Sequence, residues 1–262
     1  MKRTTMIVLA VATALSMTAC DALDAILQVN IFSPFAAVSV SEIKSADAAT
    51  LIELAGSDSF FETLADDPDT KLDVLATIDE AMAATPTSSS TYQELAVLAA
   101  AIELQTTPAG ELVNNISEIF TDLAEGTVGD DIGAIITGIM PDSVLGADGV
   151  LGAEDKTAFV AMIDALEAAN DYYMLLGAAI PDGYADGTDV SAGDVAQSAL
   201  VSAIVGGIEV PVAFTGTTGE YLYSLLTDPD NTPETTFVMP AMDSGPLGNI
   251  LLAADLNFGS TP

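Results

Sequence analysis

The chain has 262 residues, half of them apolar, and carries 39 acidic side chains against five basic ones, with no His, no Trp and one Cys. That apolar content excludes a low-hydrophobicity disordered chain, and a single thiol excludes a disulfide-stapled scaffold. Without His there is no Ser-His or Cys-His nucleophile pair, no imidazole base and no His-ligated zinc or iron.

The first twenty residues read in three steps. Met1-Lys2-Arg3 is a cationic head, Met6 to Ala19 is an apolar run, and Cys20 follows Met17-Thr18-Ala19. As a helix the run would rise about 21 Å, short of the roughly 30 Å hydrocarbon core, so it fits a signal peptide better than a permanent span. Thr18-Ala19-Cys20, with Leu15 and Met17 upstream, resembles the lipobox of bacterial lipoproteins, with Met17 standing where Leu is more usual. The resemblance covers these residues only and speaks to localisation. It implies removal of residues 1–19, acylation of the Cys20 sulfur by chains such as palmitate, and a protein of the cell envelope lipid-anchored to a bacterial membrane, on its periplasmic face or the cell surface. An ordinary signal peptide that ends in Cys, or an uncleaved anchor, is the alternative. Asp21 resembles the residue that retains lipoproteins in the inner membrane of enteric bacteria, a rule that does not carry across phyla, so the leaflet stays open.

From Cys20 onward only Lys44, Lys71 and Lys156 are basic, and the formal charge is −36. A chain with so few cations cannot clamp phosphates, so nucleic acid is excluded as a partner, and so is adhesion to anionic lipid through a basic patch. The acids divide into 25 Asp and 14 Glu, a balance that resembles proteins of salt-loving organisms. Such a surface reads as adaptation to brine rather than as a binding site.

Element signals then run along the chain. Asp21 to Phe32 carries Leu23, Ile26, Leu27 and Ile31 at helical spacing, directly after the anchor. Residues 20–45 are taken as anchor segment and linker, with 36–40 extended, and residues 46–262 as a single helical domain. Ala46–Ala55 and Ser59–Ala65 read as short helices. Asp67-Pro68 is an N-cap followed by proline at the first helical position, opening a helix to about Ala84 with Leu72, Leu75, Ile78 and Met82 on one side. Tyr92–Gln105 is a very apolar helix. Thr107-Pro108 opens the next, to about Glu125, with Leu112, Ile116, Ile119, Phe120 and Leu123 as its stripe; the tight turn between the two predicts an antiparallel hairpin. Ile132–Met140, Ala153–Leu176, Ser191–Ile208, Glu220–Thr227 and Leu247–Leu256 supply further helices, and Val210–Phe214 is the one strand candidate.

The expected fold class is all-α, built of antiparallel helical hairpins. Prolines 68, 108, 141 and 181 recur at spacings that suit a short α-solenoid-like array. In outline this is similar to the tetratricopeptide-like accessory lipoproteins of tripartite periplasmic transporters, a likeness of architecture that no motif carries.

The chemistry left to the chain is narrow. Asp182, Asp186, Asp189 and Asp194 are oxygen donors among glycines in one segment, the calcium candidates, yet Tyr184 and Gly193 occupy positions where an EF-hand needs ligands. The loop of Asp142, Asp148, Glu154 and Asp155 fails in the same way. No cofactor is expected. The leading reading is a non-enzymatic lipoprotein that binds a partner protein or an apolar small molecule, using faces such as Leu95, Leu98, Ile102, Phe159, Met162, Leu200 and Ile204, and serves as a transport accessory component in one version. The alternatives are an envelope hydrolase with a carboxylate pair, which 39 acids cannot localise, and a calcium-binding lipoprotein.

Overall fold

A computed structural model describes residues 38–124, 139–146, 149–181, 183–185, 188, 190–206, 209–228, 230, 232–233 and 244–253. Of these residues 72% are helical and none lies in a strand. The chain is all-α, as its periodicity predicts.

The first half holds α1 (Val40–Ser45), α2 (Ala48–Leu54), α3 (Asp58–Asp66), α4 (Pro68–Ala84), α5 (Ser90–Gln105) and α6 (Pro108–Ala124). A 3-10 turn at Ala153–Asp155 leads into α7 (Lys156–Ala179), followed by α8 (Ala192–Gly206), α9 (Thr218–Thr227) and α10 (Gly245–Ala253). Local chemistry sets most of these starts. The side chains of Ser39, Asp47, Asp67 and Ser89 each accept a hydrogen bond from the backbone N–H three residues on, satisfying one of the donors that a helix leaves free at its N-terminus. Thr217 and Glu220 close a reciprocal capping box at α9.

Three expectations are corrected. Residues 20–45 were expected to be linker with 36–40 extended; Ser39 has an extended backbone, but Val40–Ser45 is helical and its Ile43 is fully buried. Val38 is buried too: its N–H donates to Ser59 Oγ at 3.0 Å, and its carbonyl accepts from Thr63 Oγ1 at 3.1 Å. The helical body therefore includes residue 38. Val210–Phe214 is not a strand. It is a turn in which the Phe214 N–H donates to the Pro211 carbonyl at 2.8 Å and Val212 stands fully in solvent. On α4 the buried face is Thr70, Val74, Leu75, Ile78 and Met82, while Leu72 points outward at 65% exposure. The expected helices at Asp21–Phe32 and over most of Ile132–Met140 lie outside the described residues.

The proline spacing does not mark a repeated unit. Pro68 and Pro108 open helices, whereas Pro141 opens a turn and Pro181 follows the end of α7. In a solenoid each unit touches only its neighbours. Here the helices converge: α7 packs on α5, α6, α8, α9 and α10, and α5 packs on α2, α3, α4, α6 and α7. One continuous apolar core runs from Val38 to Leu251.

Two glycines let helices cross closely. A Cβ on Gly177 of α7 would fall 2.3 Å from the Pro246 carbonyl oxygen of α10, and one on Gly219 of α9 would fall 3.0 Å from Val160 Cα of α7. At the first crossing Asn249 Nδ2 donates to the Gly177 carbonyl at 2.8 Å.

Candidate functional site

All three lysines of the described body are used between helices. Lys44 of α1 meets Asp73 of α4 at 3.5 Å, Lys71 of α4 meets Glu103 of α5, and Lys156 of α7 meets Glu220 of α9 at 3.2 Å. The middle pair is the most enclosed, with both side chains less than a fifth exposed. Removing one of its partners would strand a charge beside the core, which costs more than the pair contributes. Lys156 also lies 5.9 Å from the centre of the Tyr223 ring, and Tyr223 donates its hydroxyl to the Gly152 carbonyl, so the start of α7 is tied to α9 from two directions.

Among the described residues, the carboxylates with shifted proton affinity are all shifted downward. The Thr70 and Thr50 backbone N–H groups hold Asp67 and Asp47 below the ordinary carboxylate range, and the Lys156 ammonium does the same for Glu220. A glycosidase-type general acid needs the reverse, a carboxyl pushed upward by burial or by a like charge. Among the described residues, the groups pushed upward are phenols. Tyr173 and Tyr184 are raised by burial, with the Asp194 charge adding to it, and Tyr172 is raised by burial and by Asp79, to which its hydroxyl donates at 3.1 Å.

Polar groups inside the body gather around α7 and α8. Tyr173 of α7 donates to Gln197 Oε1 of α8 at 3.3 Å, and Gln93, buried near the start of α5, accepts from the Ala185 N–H at 3.1 Å. Among the described residues, four buried side-chain oxygens lack a hydrogen-bond partner: Thr70 Oγ1, Asn170 Oδ1, Tyr184 OH and Ser202 Oγ. Three of the four belong to α7, α8 or the segment between them, which makes this the least satisfied part of the described interior.

The residues singled out in the sequence fall as follows. Cys20 lies outside the described residues, as do Asp182, Asp186 and Asp189. Asp194 is described, and its carboxylate accepts from the Ser191 N–H at 2.8 Å and from the Ser191 hydroxyl at 2.7 Å, fixing the start of α8. Asp155 plays the same part at Gly152. Among the described residues no three metal-ligating side chains converge. Leu95, Leu98, Ile102, Phe159, Met162 and Leu200 are buried in the common core, and Ile204 packs against it. The ion pairs and the Gln93 strap were not read from the sequence, because their partners lie tens of positions away.

No protein family, curated protein or solved structure matches the chain. Among the described residues no helix is long and apolar enough to cross a membrane.

Proposed function

We propose that the protein is a lipid-anchored, acidic, non-enzymatic component of the cell envelope whose helical body binds a partner protein. The observation that carries this reading is the order of cationic head, apolar run and Thr18-Ala19-Cys20 at the N-terminus. Two or three acyl chains, at about 0.8 kcal/mol for each buried CH2, would hold the body at a membrane for its lifetime. Two features of the body support a binding role over catalysis. The chain has no His, and its described lysines are already engaged with carboxylates, so the groups that usually activate a nucleophile or neutralise an oxyanion are not at hand. The apolar faces of α5, α7 and α8 are closed within the core, which favours a protein on the outside over an apolar molecule between the helices.

The test is fractionation of cells producing the full chain. The native protein should sediment with membranes, and its N-terminal peptide should begin at an acylated Cys20. Cys20→Ser should appear in the soluble envelope fraction or as an uncleaved precursor. An unmodified Cys20 thiol in the mature native protein would overturn the reading.

A further inference from the structure

Helix α9 is fastened to the body at its edges and shares little of the core. Of its ten residues Gly219 and Tyr221 are buried, against nine of the sixteen in α5. Among the described helices it packs chiefly on α7. Polar contacts at the edges hold it there: Lys156 meets Glu220 at 3.2 Å, the Thr218 hydroxyl donates to Glu167 Oε1 at 2.6 Å, and the Tyr223 hydroxyl donates to the Gly152 carbonyl at 2.8 Å. The side chains of the ion pair are 45% and 39% exposed, so water screens it and it adds little by itself. Beneath these contacts Gly219 crosses the α7 backbone at Val160, and the Tyr223 ring meets Phe159 at 6.0 Å. Tyr221 is fully enclosed yet stands outside the continuous core. Its ring lies edge-on to Phe214 at 5.1 Å and its hydroxyl donates to the Pro233 carbonyl at 2.9 Å, so α9 and the Pro211–Phe214 turn share a small apolar centre of their own.

We infer that α9, with the Pro211–Phe214 turn, is a flap that leaves α7 and unravels in one cooperative step while the core stays folded. Segments that open below the free energy of global unfolding are those with few buried apolar contacts and solvent-exposed bonds. The chain from Glu209 to Thr217 that leads into α9 is not helical, so the flap can part from α8 without breaking that helix. A helix of ten residues does not hold itself together in water, so α9 loses its own hydrogen bonds once it leaves α7. Its departure uncovers Phe159, which is otherwise buried, and more of Val160. The flap is thus a gate on an apolar strip of α7 that the closed body withholds from any partner. The opening requires neither the lipid anchor nor a bound protein.

Amide hydrogen exchange on the full-length protein is the test. The amides of Tyr221 to Thr227 should share one protection factor, at least about tenfold below that of amides in the middle of α5, and should respond more weakly to denaturant. Protection as high as in α5, or graded along α9 as in simple fraying, would overturn the inference. Ile78→Val in α4 weakens a part that stays folded when the flap opens. It should speed α5 exchange by about two- to tenfold and leave α9 exchange unchanged; an equal rise in both would show that α9 opens only with the whole molecule. Lys156→Met weakens the closed state against every open one, so it should speed α9 and α5 alike, by up to about fivefold. No change in α9 would overturn the fastening. Gly219→Val, whose side chain would press on the α7 backbone, should abolish protection in α9 while α5 stays protected. Loss of protection in both helices, or in neither, would overturn the flap.

Discussion

Helices α4 and α5 are nearly equal in length, adjacent in sequence and packed on one another, yet they relate to the core in opposite ways. α4 buries one stripe, Thr70, Val74, Leu75, Ile78 and Met82, and shows Asp69, Asp73 and Glu80 to water. α5 is buried on almost every side, from Tyr92 and Gln93 through Leu95, Ala96, Leu98, Ala99 and Ala100 to Ile102 and Leu104. A helix on the outside of a bundle writes its orientation into its sequence as a polar and an apolar face. A helix at the centre writes only that it is buried, and its neighbours must be learned from the fold.

The comparison can be broken by substitution. Leu95→Ala on α5 removes a fully enclosed side chain and should cost about 2–5 kcal/mol of unfolding free energy in a denaturant titration. Ala99→Leu, which adds volume where no space is exposed, should cost about 1–3 kcal/mol; a neutral result would mean that α5 has slack around it and is not the packed centre. Ser89→Ala, which removes the hydroxyl cap of α5, should cost about 1 kcal/mol. Leu72→Ala on the open side of α4 should change stability by less than about 0.5 kcal/mol. If Leu72→Ala rivals Leu95→Ala, the outward assignment of Leu72 is wrong.

The two caps also differ in how they answer to acid. Asp67 caps α4 with a carboxylate whose pKa is depressed by the Thr70 backbone N–H, whereas Ser89 caps α5 with a hydroxyl that does not titrate in this range. A depressed folded-state pKa contributes stability above the ordinary value of about 3.9, and that contribution is lost as pH falls through the lower folded value. Amide hydrogen exchange below pH 4 should therefore rise at the start of α4 before it rises at the start of α5, and Asp67→Asn should remove the difference.

Much of the fold is legible in the sequence, and the failures share a cause. The Asp67-Pro68 and Thr107-Pro108 signals place α4 and α6 at their observed first residues, because capping is a contest among neighbouring groups. The sequence disguises α1, although Ser39 and Glu42 stand at capping spacing, since Val38 and Val40 favour an extended run. Val210–Phe214 misleads for a similar reason. Its residues favour a strand, but a strand needs a partner, and the Pro211 turn has none among the described residues. At the site the limit was distance along the chain. Nothing local announces that Lys156 will find Glu220, whereas the Ser191-to-Asp194 spacing is itself a helix-start signal that accounts for Asp194 without a cation.

The pairing of each described lysine with a carboxylate inside its own molecule has a colloidal consequence. Two copies that approach one another present a great excess of negative charge, because lysines are few and each described one is paired with a carboxylate of its own molecule. In dilute buffer the osmotic second virial coefficient should be strongly positive, and molecules crowded together would hold their distance. The range of that repulsion shrinks from about 10 Å at 0.1 M salt to about 3 Å at 1 M. Ionic strength thus sets how densely the protein can cover a surface, with no change in the structure of any single molecule.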